Sequence, residues 1–397
     1  MPLDAHTAGE SHGPALIATI TGLPSGLALD VEFIDGELAR RQGGYGRGGR
    51  QNIEEDRVEF LTGVRQGRTT GGPLTIAIRN RDSRLDDPVK TPPVHRPRPG
   101  HADLAGSIKF LTTDCRDVLE RASARETAAR VAIGAVARCL LREFGIESFG
   151  FVRSVQTAAT DVEAGEENWL ALRDARDASE TYCPDPIATV EQTRLIHAAK
   201  LAKDTVGGLV EAHLFGLPPG IGSCMDWRDK LDARLAYAVM GVQAIKAVEI
   251  GLGKEVASRP GSLVHDPIRF NAALRDSRAS MGFTRDTNNA GGTEGGMSNG
   301  QPIVVRAAMK PISTLGRGMP SVDLNTLEAQ QSAYERSDIC AVSAASVVVE
   351  NVAAFEVARC FRDKFAGDSL AEVKAQFEAY MLLARQLPHP SPFGRIA

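Results

Sequence analysis

The stretch TAARVAIGAVARCLLREFG, Thr127 to Gly145, decides how the core of this chain is built. It belongs to a helix that the hydrophobic spacing predicts from Val118 to Phe144, with Gly145 as its C-cap. The inner face of this helix carries small and aliphatic residues: Ala129, Ala132, Ile133, Val136, Ala137 and Leu140. Such a face lets a second helix approach closely. Aromatic residues make up only 5% of the 397 residues, so we expect much of the core to pack through small side chains.

The rest of the chain alternates groups of strands with helices. Period-two patterns predict strands at residues 15–21, 57–64, 73–79 and 301–309, and a short helix follows Asp30 as its N-cap. Further helices are predicted at residues 191–203, 229–248, 340–365 and 369–387. Strand groups separated by long helices, without regular βαβ alternation, favour an α+β fold. The similarity of GGPLTIAIR to NGQPIVVRAAM suggests an internal duplication, whereas residues 158–190 are acidic and irregular and predict a surface insertion.

Composition excludes several classes of protein. The formal charge of −4 argues against a dedicated nucleic-acid binder, yet residues 40–98 hold 13 basic against 7 acidic side chains. A local basic excess of this kind is typical of a small-anion site. Six scattered cysteines without a C-x-x-C pair predict reduced thiols and no metal site, and no apolar run is long enough to cross a membrane. We therefore expect a soluble, cytoplasmic protein without nucleic-acid or membrane partners.

The segment RRQGGYGRGGR, residues 40–50, is the most basic of the glycine-rich loops. Glycine permits sharp turns and close approach, and arginine offers forked donors to phosphate or carboxylate. The Walker pattern is absent because no G-K-[ST] follows. Three interpretations remain open here: a small-anion site, an exposed structural loop, or an RGG-like segment that binds RNA.

Two loop histidines have glycine neighbours. His12 lies in GESHG, which resembles the G-x-S-x-G elbow of hydrolases but lacks the strand before it and the helix after it. His101 follows the cationic segment RPRPG. A histidine in such a loop can act as an acid or base near neutral pH. The alternative for each is a structural histidine in a turn.

Three further segments contain groups that bind anions. ERASARETAAR contains Ser123 and Arg125 near a helix start, which forms a phosphate cradle or an ordinary charged first turn. NNAGGTEGGMSNG, residues 288–300, permits close approach of a flat or phosphorylated ligand, or a lid movement, and MKPISTL after it offers Lys310. Asp338 in ERSDICAVS precedes a buried helix. Together these segments predict a site for two anionic ligands, without naming the reaction.

Taken in order, these motifs resemble the chorismate synthase family. The matching segments are GESHG, RRQGGYGRGGR, RPGHADLAG, RASARETAAR, DARLAYAVM with AIKAVEIGLG, NNAGGTEGGMSNGQPIVVRAAMKPISTL and ERSDICAV. The resemblance implies elimination of phosphate from 5-enolpyruvylshikimate 3-phosphate to give chorismate, with reduced FMN as cofactor. It also implies a single domain over residues 1–397, central helices sandwiched between antiparallel sheets, a homotetramer, and an external reductant for the flavin.

The resemblance also implies residue roles. His12 would protonate the departing phosphate, His101 would stabilise the reduced flavin, and Asp338, with Ser11 nearby, would assist proton removal. Positions implied for substrate anions are Ser11, Arg41, Arg47, Arg50, Arg125 and Arg336, of which Arg41 and Arg47 also match positions associated with NADP. Positions implied for FMN are Arg121, Ala122, Ser123, Gln243, Ala244, Gly295, Lys310, Pro311, Ile312, Ser313, Thr314 and Arg336.

Two other function classes are compatible with parts of this pattern. A flavin-dependent oxidoreductase would share the cofactor but would need a nicotinamide site that the sequence does not show clearly. An anion- or RNA-binding module would explain the arginine-glycine loop but neither the two histidines nor the negative net charge.

Overall fold

A computed structural model describes residues 1–48, 54–335 and 337–389. Its longer helices are α1 (Val31–Gln42), α2 (Asp103–Phe110), α3 (Arg116–Ala122), α4 (Thr127–Arg142), α5 (Trp169–Asp177), α6 (Pro186–Leu201), α7 (Leu231–Met240), α8 (Val342–Lys364) and α9 (Leu370–Ala384). In the described part of the chain, no helix is long and apolar enough to span a membrane.

Two antiparallel sheets contain most of the strands. The first consists of β1 (Asp4–Ala8), β2 (Ala15–Thr21), β3 (Glu59–Thr62) and β4 (Leu74–Arg79) in the order β1-β2-β4-β3. The second consists of β5 (Glu147–Val155), β6 (Ala158–Ala159), β7 (Gly208–Phe215), β8 (Ile245–Ile250) and β9 (Ile303–Met309) in the order β8-β9-β7-β5-β6. With the helices, these sheets make the α+β class that the sequence predicts.

The two central helices connect the sheets. Helix α4 contacts β2 and β4 of the first sheet, and α8 contacts β5 and β7 of the second. The two helices also contact each other along their length. Nearly every residue of α8 is buried, as expected of a helix that is covered on all sides.

Gly134 sets the distance between α4 and α8. A Cβ atom at this position would lie 2.3 Å from the carbonyl oxygen of Asn351 in α8, which is far inside van der Waals contact. The small inner face predicted from the sequence therefore packs helix against helix.

Three predicted elements differ from the structure. The long helix is interrupted at Ser123, whose extended backbone (φ −60°, ψ 140°) separates α3 from a 3-10 turn and α4. Helix α7 ends at Met240, and residues 245–250 form β8, because pairing with β9 overrides the helix propensity of Lys, Ala and Glu. Residues 158–190, expected to be irregular, contain α5 and the first turn of α6, which Asp185 caps.

We predict that Gly134→Ala destabilises the protein by about 1–3 kcal/mol, because the added methyl group forces α4 and α8 apart. The matched control is Gly36→Ala in α1, where a Cβ would meet no atom within 4 Å. Replacing an exposed helical glycine by alanine is expected to stabilise by about 0.5–1 kcal/mol. Urea unfolding followed by circular dichroism measures both. Equal free energies of unfolding for the two variants would contradict the close helix contact.

Candidate active site

A cavity of about 500 Å³ lies at the N-terminal ends of the two central helices. Thr127 of α4 and Ala344, Ala345 and Val348 of α8 form part of its lining. Small side chains at the start of α8 therefore leave room for a ligand. The N-terminal end of a helix also carries partial positive charge, which favours anions.

His12 lies on one wall of the cavity, on the loop between β1 and β2. Its Nδ1 is 2.9 Å from Oε1 of Glu120 in α3, and its backbone N–H donates to Oε2 of the same carboxylate at 2.8 Å. Burial raises the pKa of Glu120, but hydrogen bonds from His12 and the charge of Arg116 outweigh burial and lower it. Glu120 is therefore an ionised acceptor at neutral pH, and it orients the His12 ring.

His101 lies on the opposite loop in a similar setting. Its Nδ1 is 2.5 Å from Oδ1 of Asp103, and Arg98 donates to Oδ2 through Nε at 2.8 Å. Burial raises the pKa of Asp103, but hydrogen bonds with His101 and Arg98 outweigh burial and hold it well below its ordinary value. Arg98 Nη1 also donates to Thr314 Oγ1 at 3.2 Å, which joins this loop to the segment after β9.

Arg41 and Arg125 line the cavity with buried guanidinium groups. Both Asp56 oxygens accept hydrogen bonds from Arg125 Nη1 at 2.6 and 2.7 Å, whereas Arg41 donates to Thr127 and to backbone carbonyls. Among the described residues, Arg41 Nη1 and Arg125 Nη2 have no hydrogen-bond partner, but each lies near a carboxylate oxygen, at 3.5 Å from Asp56 and 3.7 Å from Glu54. Burial lowers the pKa of Arg41 to about 10; Asp56 opposes this, and the positive charges of Arg125 and Arg47 add to it. Buried donors of this kind are suited to a bound anion.

Asp338 is held by the arginine-glycine loop. Arg47 Nη1 donates to its Oδ2 at 2.6 Å, and the backbone N–H of Gly48 donates to its Oδ1 at 2.6 Å. A Cβ at position 48 would come within 3.0 Å of the Ser337 carbonyl oxygen, so glycine permits this close approach.

Most of the predicted site residues described by the structure line this cavity: Ser11, His12, Arg41, Arg47, His101, Ala122, Ser123, Arg125, Gln243, Ala244, Lys310, Pro311, Ile312, Ser313, Thr314 and Asp338. Arg121 points away and donates to the backbone of Thr7 and Gly9. Gly295 lies in an exposed turn outside the lining. Arg50 and Arg336 lie outside the described residues.

The sequence motifs did not indicate the two carboxylates that lie at hydrogen-bond distance from the histidines. Asp103 is two residues from His101, but that spacing alone has no specific meaning. Glu120 is 108 residues from His12, and no local pattern connects them.

A larger groove of about 890 Å³ contains no predicted site residue and is lined by side chains such as Phe144, Trp169 and Phe377.

The residues of the cavity fit a phosphorylated cofactor together with an anionic substrate. The volume is in the range of cavities that hold organic ligands. Buried guanidinium nitrogens without a hydrogen bond suit phosphate or carboxylate, and Gln243 Oε1 is a buried acceptor without a hydrogen-bond partner in the described ranges. The fold and this site define a class of protein that can bind anionic ligands beside two cavity histidines.

Comparison with known proteins gives the particular family. The family model described as chorismate synthase matches residues 3–361. Chorismate synthase of Thermoanaerobacter pseudethanolicus is 52% identical over 96% of this chain and 98% of its own length, and that of Geobacter metallireducens is 50% identical over 94% and 97%. A crystal structure of chorismate synthase superimposes with a TM-score of 0.79 at 40% identity, covering 98% of this chain and 99% of the other.

The chain therefore belongs to the chorismate synthase family. Its function is that of a carbon-oxygen lyase of the shikimate pathway, which eliminates phosphate from 5-enolpyruvylshikimate 3-phosphate to give chorismate. Its cofactor is reduced FMN.

We predict that inorganic phosphate stabilises the ligand-free protein through the Arg41 and Arg125 donors. At ten times its dissociation constant, phosphate would add about 1.4 kcal/mol to the free energy of unfolding. In Arg41→Met this gain is reduced, while Asp56 keeps its hydrogen bonds from Arg125.

Thermal unfolding at increasing phosphate and constant ionic strength measures the effect. The matched control is Arg79→Met, which removes an exposed arginine that lies outside the cavity lining and forms an ion pair with exposed Glu59. An identical phosphate response in Arg41→Met and Arg79→Met would mean that the cavity arginine does not bind the anion.

Proposed function

We propose that this cavity is the active site and that its residues divide between holding anions and moving protons. The observation that supports this most directly is the pair of cavity histidines, each with a buried carboxylate at Nδ1, beside the buried guanidinium groups of Arg41 and Arg125. Ser11, Arg41, Arg47, Arg50, Arg125 and Arg336 bind the phosphate and carboxylates of the substrate.

We propose that FMN is held by Ala122, Ser123, Gln243, Ala244 and residues 310–314, with Arg336 as a further contact, whereas Arg121 and Gly295 lie outside the lining of this cavity. Gln243 Nε2 donates to Glu126 at 2.9 Å, so its oxygen is fixed in place to accept from a ligand N–H or hydroxyl. When bound, reduced FMN supplies the electron density that lets an unactivated C–H bond break.

The elimination needs one proton acceptor and one proton donor. Asp338 assists removal of the proton from C6 of the substrate, and Nε2 of His12 gives a proton to the departing phosphate. Nε2 of His101 directs positive charge toward the negative charge on the cofactor.

The Arg47–Asp338 contact couples binding to this proton transfer. Both carboxylate oxygens of Asp338 accept short hydrogen bonds, so an incoming proton competes with Arg47 and Gly48. A substrate anion that attracts Arg47 releases Oδ2, and the base becomes available once the substrate is in place.

We propose that an external reductant supplies the electrons for FMN. Arg41 and Arg47, the NADP-type positions, line the same cavity as the substrate positions and are engaged by Thr127 and Asp338.

We also propose a cytoplasmic homotetramer. Exposed apolar side chains such as Phe110 and Leu111 at the end of α2 and Tyr237 on α7 are candidates for contacts between copies.

We further propose that residues 1–397 form one domain with the central helices sandwiched between sheets, and that its two halves arose by duplication. Each half pairs an antiparallel sheet with one central helix, α4 or α8. Residues 158–190 would be an insertion into the second half.

We predict that His12→Ala and His101→Ala each reduce turnover by about 10²- to 10⁴-fold, because each removes a positioned proton-transfer or charge-stabilising group. Protein would be mixed anaerobically with 5-enolpyruvylshikimate 3-phosphate, with and without dithionite-reduced FMN, while chorismate absorbance and phosphate release are recorded. Wild-type protein should form both products in equal amounts, and only with reduced FMN.

The control variant is His6→Ala, which removes an exposed histidine of β1 outside the cavity and should retain activity. Circular dichroism checks that each variant is folded. Unfolding of both cavity variants would make these histidines structural, and full activity in either would remove it from the proposed mechanism. NAD(P)H consumption without chorismate would favour the oxidoreductase interpretation.

A further inference from the structure

The two cavity histidines share an arrangement that neither the sequence motifs nor the family resemblance contains. In each case an arginine, a fully buried carboxylate and a histidine follow one another: Arg116–Glu120–His12 and Arg98–Asp103–His101. Glu120 is 1% exposed and Asp103 is 0% exposed. The two arrangements come from different loops and helices, so each is built separately around its histidine.

The buried carboxylates decide which ring nitrogen carries a proton. An ionised carboxylate only accepts hydrogen bonds, so the Nδ1 that faces it must be a donor. The proton therefore stays on Nδ1 in the neutral ring and in the imidazolium alike. Proton exchange with a ligand is left to Nε2, the nitrogen on the other side of the ring.

Other charged groups near the rings do not compete for Nδ1. On the side of His12 Nε2, Arg84 lies at 3.4 Å and Asp82 at 3.7 Å. Around His101, Arg98 Nη2 is 3.0 Å from Nδ1 but is itself a donor bonded to Asp103. The acceptor facing each Nδ1 among the described residues is the buried carboxylate.

We propose that Glu120 and Asp103 are positioning residues, which fix a proton on Nδ1 of His12 and His101 so that each histidine acts on ligands only through Nε2. The inference deepens the proposed function, since it concerns the same two histidines. Its test nevertheless has a readout that needs neither substrate nor cofactor.

Asp103→Asn gives the sharpest outcome because of how Asp103 is bonded. Its Oδ2 accepts from both the backbone N–H and Nε of Arg98, at 3.0 and 2.8 Å. The single amide oxygen of asparagine would take that place, which turns its NH₂ group toward His101 Nδ1. The His101 ring must then accept at Nδ1, and the proton moves to Nε2.

Two variants, Glu120→Gln and Glu120→Ala, test the role of Glu120. Its Oε2 lies close to both the backbone N–H and Nδ1 of His12, at 2.8 and 3.0 Å. The oxygen of Gln in Glu120→Gln can therefore still accept from both, and we expect His12 to keep its proton on Nδ1. Glu120→Ala removes the acceptor, and the Nδ1–H form should lose its preference.

Magic-angle-spinning NMR of protein labelled with ¹⁵N-histidine distinguishes the two neutral forms by the ring-nitrogen shifts, in an assembly of any size. His12→Ala and His101→Ala spectra identify the two rings, at a pH where the rings are neutral. The matched control is Glu335→Gln, which removes another cavity carboxylate bonded by Arg116 but touching neither histidine.

We expect Asp103→Asn to change His101 alone, Glu120→Ala to change His12 alone, and Glu335→Gln to change neither. A ring that carries its proton on Nε2 in the wild-type protein, or that keeps Nδ1–H in Asp103→Asn or Glu120→Ala, would overturn the inference for that histidine. If His12 keeps its proton on Nδ1 in Glu120→Gln, an acceptor oxygen at this position fixes the proton. The change in Glu120→Ala is then due to the lost acceptor and not to collapse of the loop.

Turnover of the loaded enzyme separates this inference from the proposed function. Asp103→Asn should lower kcat about tenfold or more with a smaller change in KM for the substrate. If the proton of His101 moves to Nε2 in Asp103→Asn while turnover is unchanged, Asp103 is still a positioning residue, but His101 is removed from the proposed mechanism.

Discussion

The structure depends on how its buried guanidinium groups are neutralised, because a buried charge without a partner is strongly unfavourable. Arg40 and Arg41 are adjacent in the sequence, and their buried charges are neutralised in two different ways. Arg40 Nη2 donates to Glu37 and Glu350 at 2.5 and 2.6 Å, which ties α1 to α8 inside the core. Arg41 lines the cavity instead, where its Nε donates to Thr127 at 3.1 Å and its Nη1 lies 3.5 Å from Asp56. Arg40 therefore joins two helices in the core, and Arg41 is paired at the wall of the cavity.

The small side chains of the central helices serve both the packing of the core and the space of the cavity. At Gly134 the absence of a side chain lets the backbone of α4 approach the backbone of α8 at Asn351. At the start of α8, Ala344 and Ala345 leave the floor of the cavity open. Larger residues would separate the helices at the first place and fill the ligand space at the second. The low aromatic content is therefore a condition for the site as well as for the core.

Local patterns predicted those elements whose burial is set within one segment. Strand β2 alternates buried Leu16, Ala18 and Ile20 with half-exposed neighbours, and Asp30 caps α1 by accepting from Phe33 N–H. Strand β8 was predicted as helix because its Lys, Ala and Glu residues favour a helix locally, and only its pairing with β9 overrides that propensity. The motifs and the family resemblance pointed to His12, His101 and Asp338, whereas the contact between Glu120 and His12 exists only after folding.

The arginine-glycine loop can now be explained by its contacts. Repulsion among its arginines is relieved by sending Arg40 to the core carboxylates and Arg47 to Asp338. Glycine is needed where the loop passes closest to its neighbours: a Cβ at Gly44, which has φ +99°, would overlap Ser343 at the start of α8. The loop thus rests on the N-terminal end of a central helix while it holds the proposed base. A substrate anion that binds Arg47 would act on Asp338 through a single shared hydrogen bond, which makes this loop the shortest connection between anion binding and proton transfer.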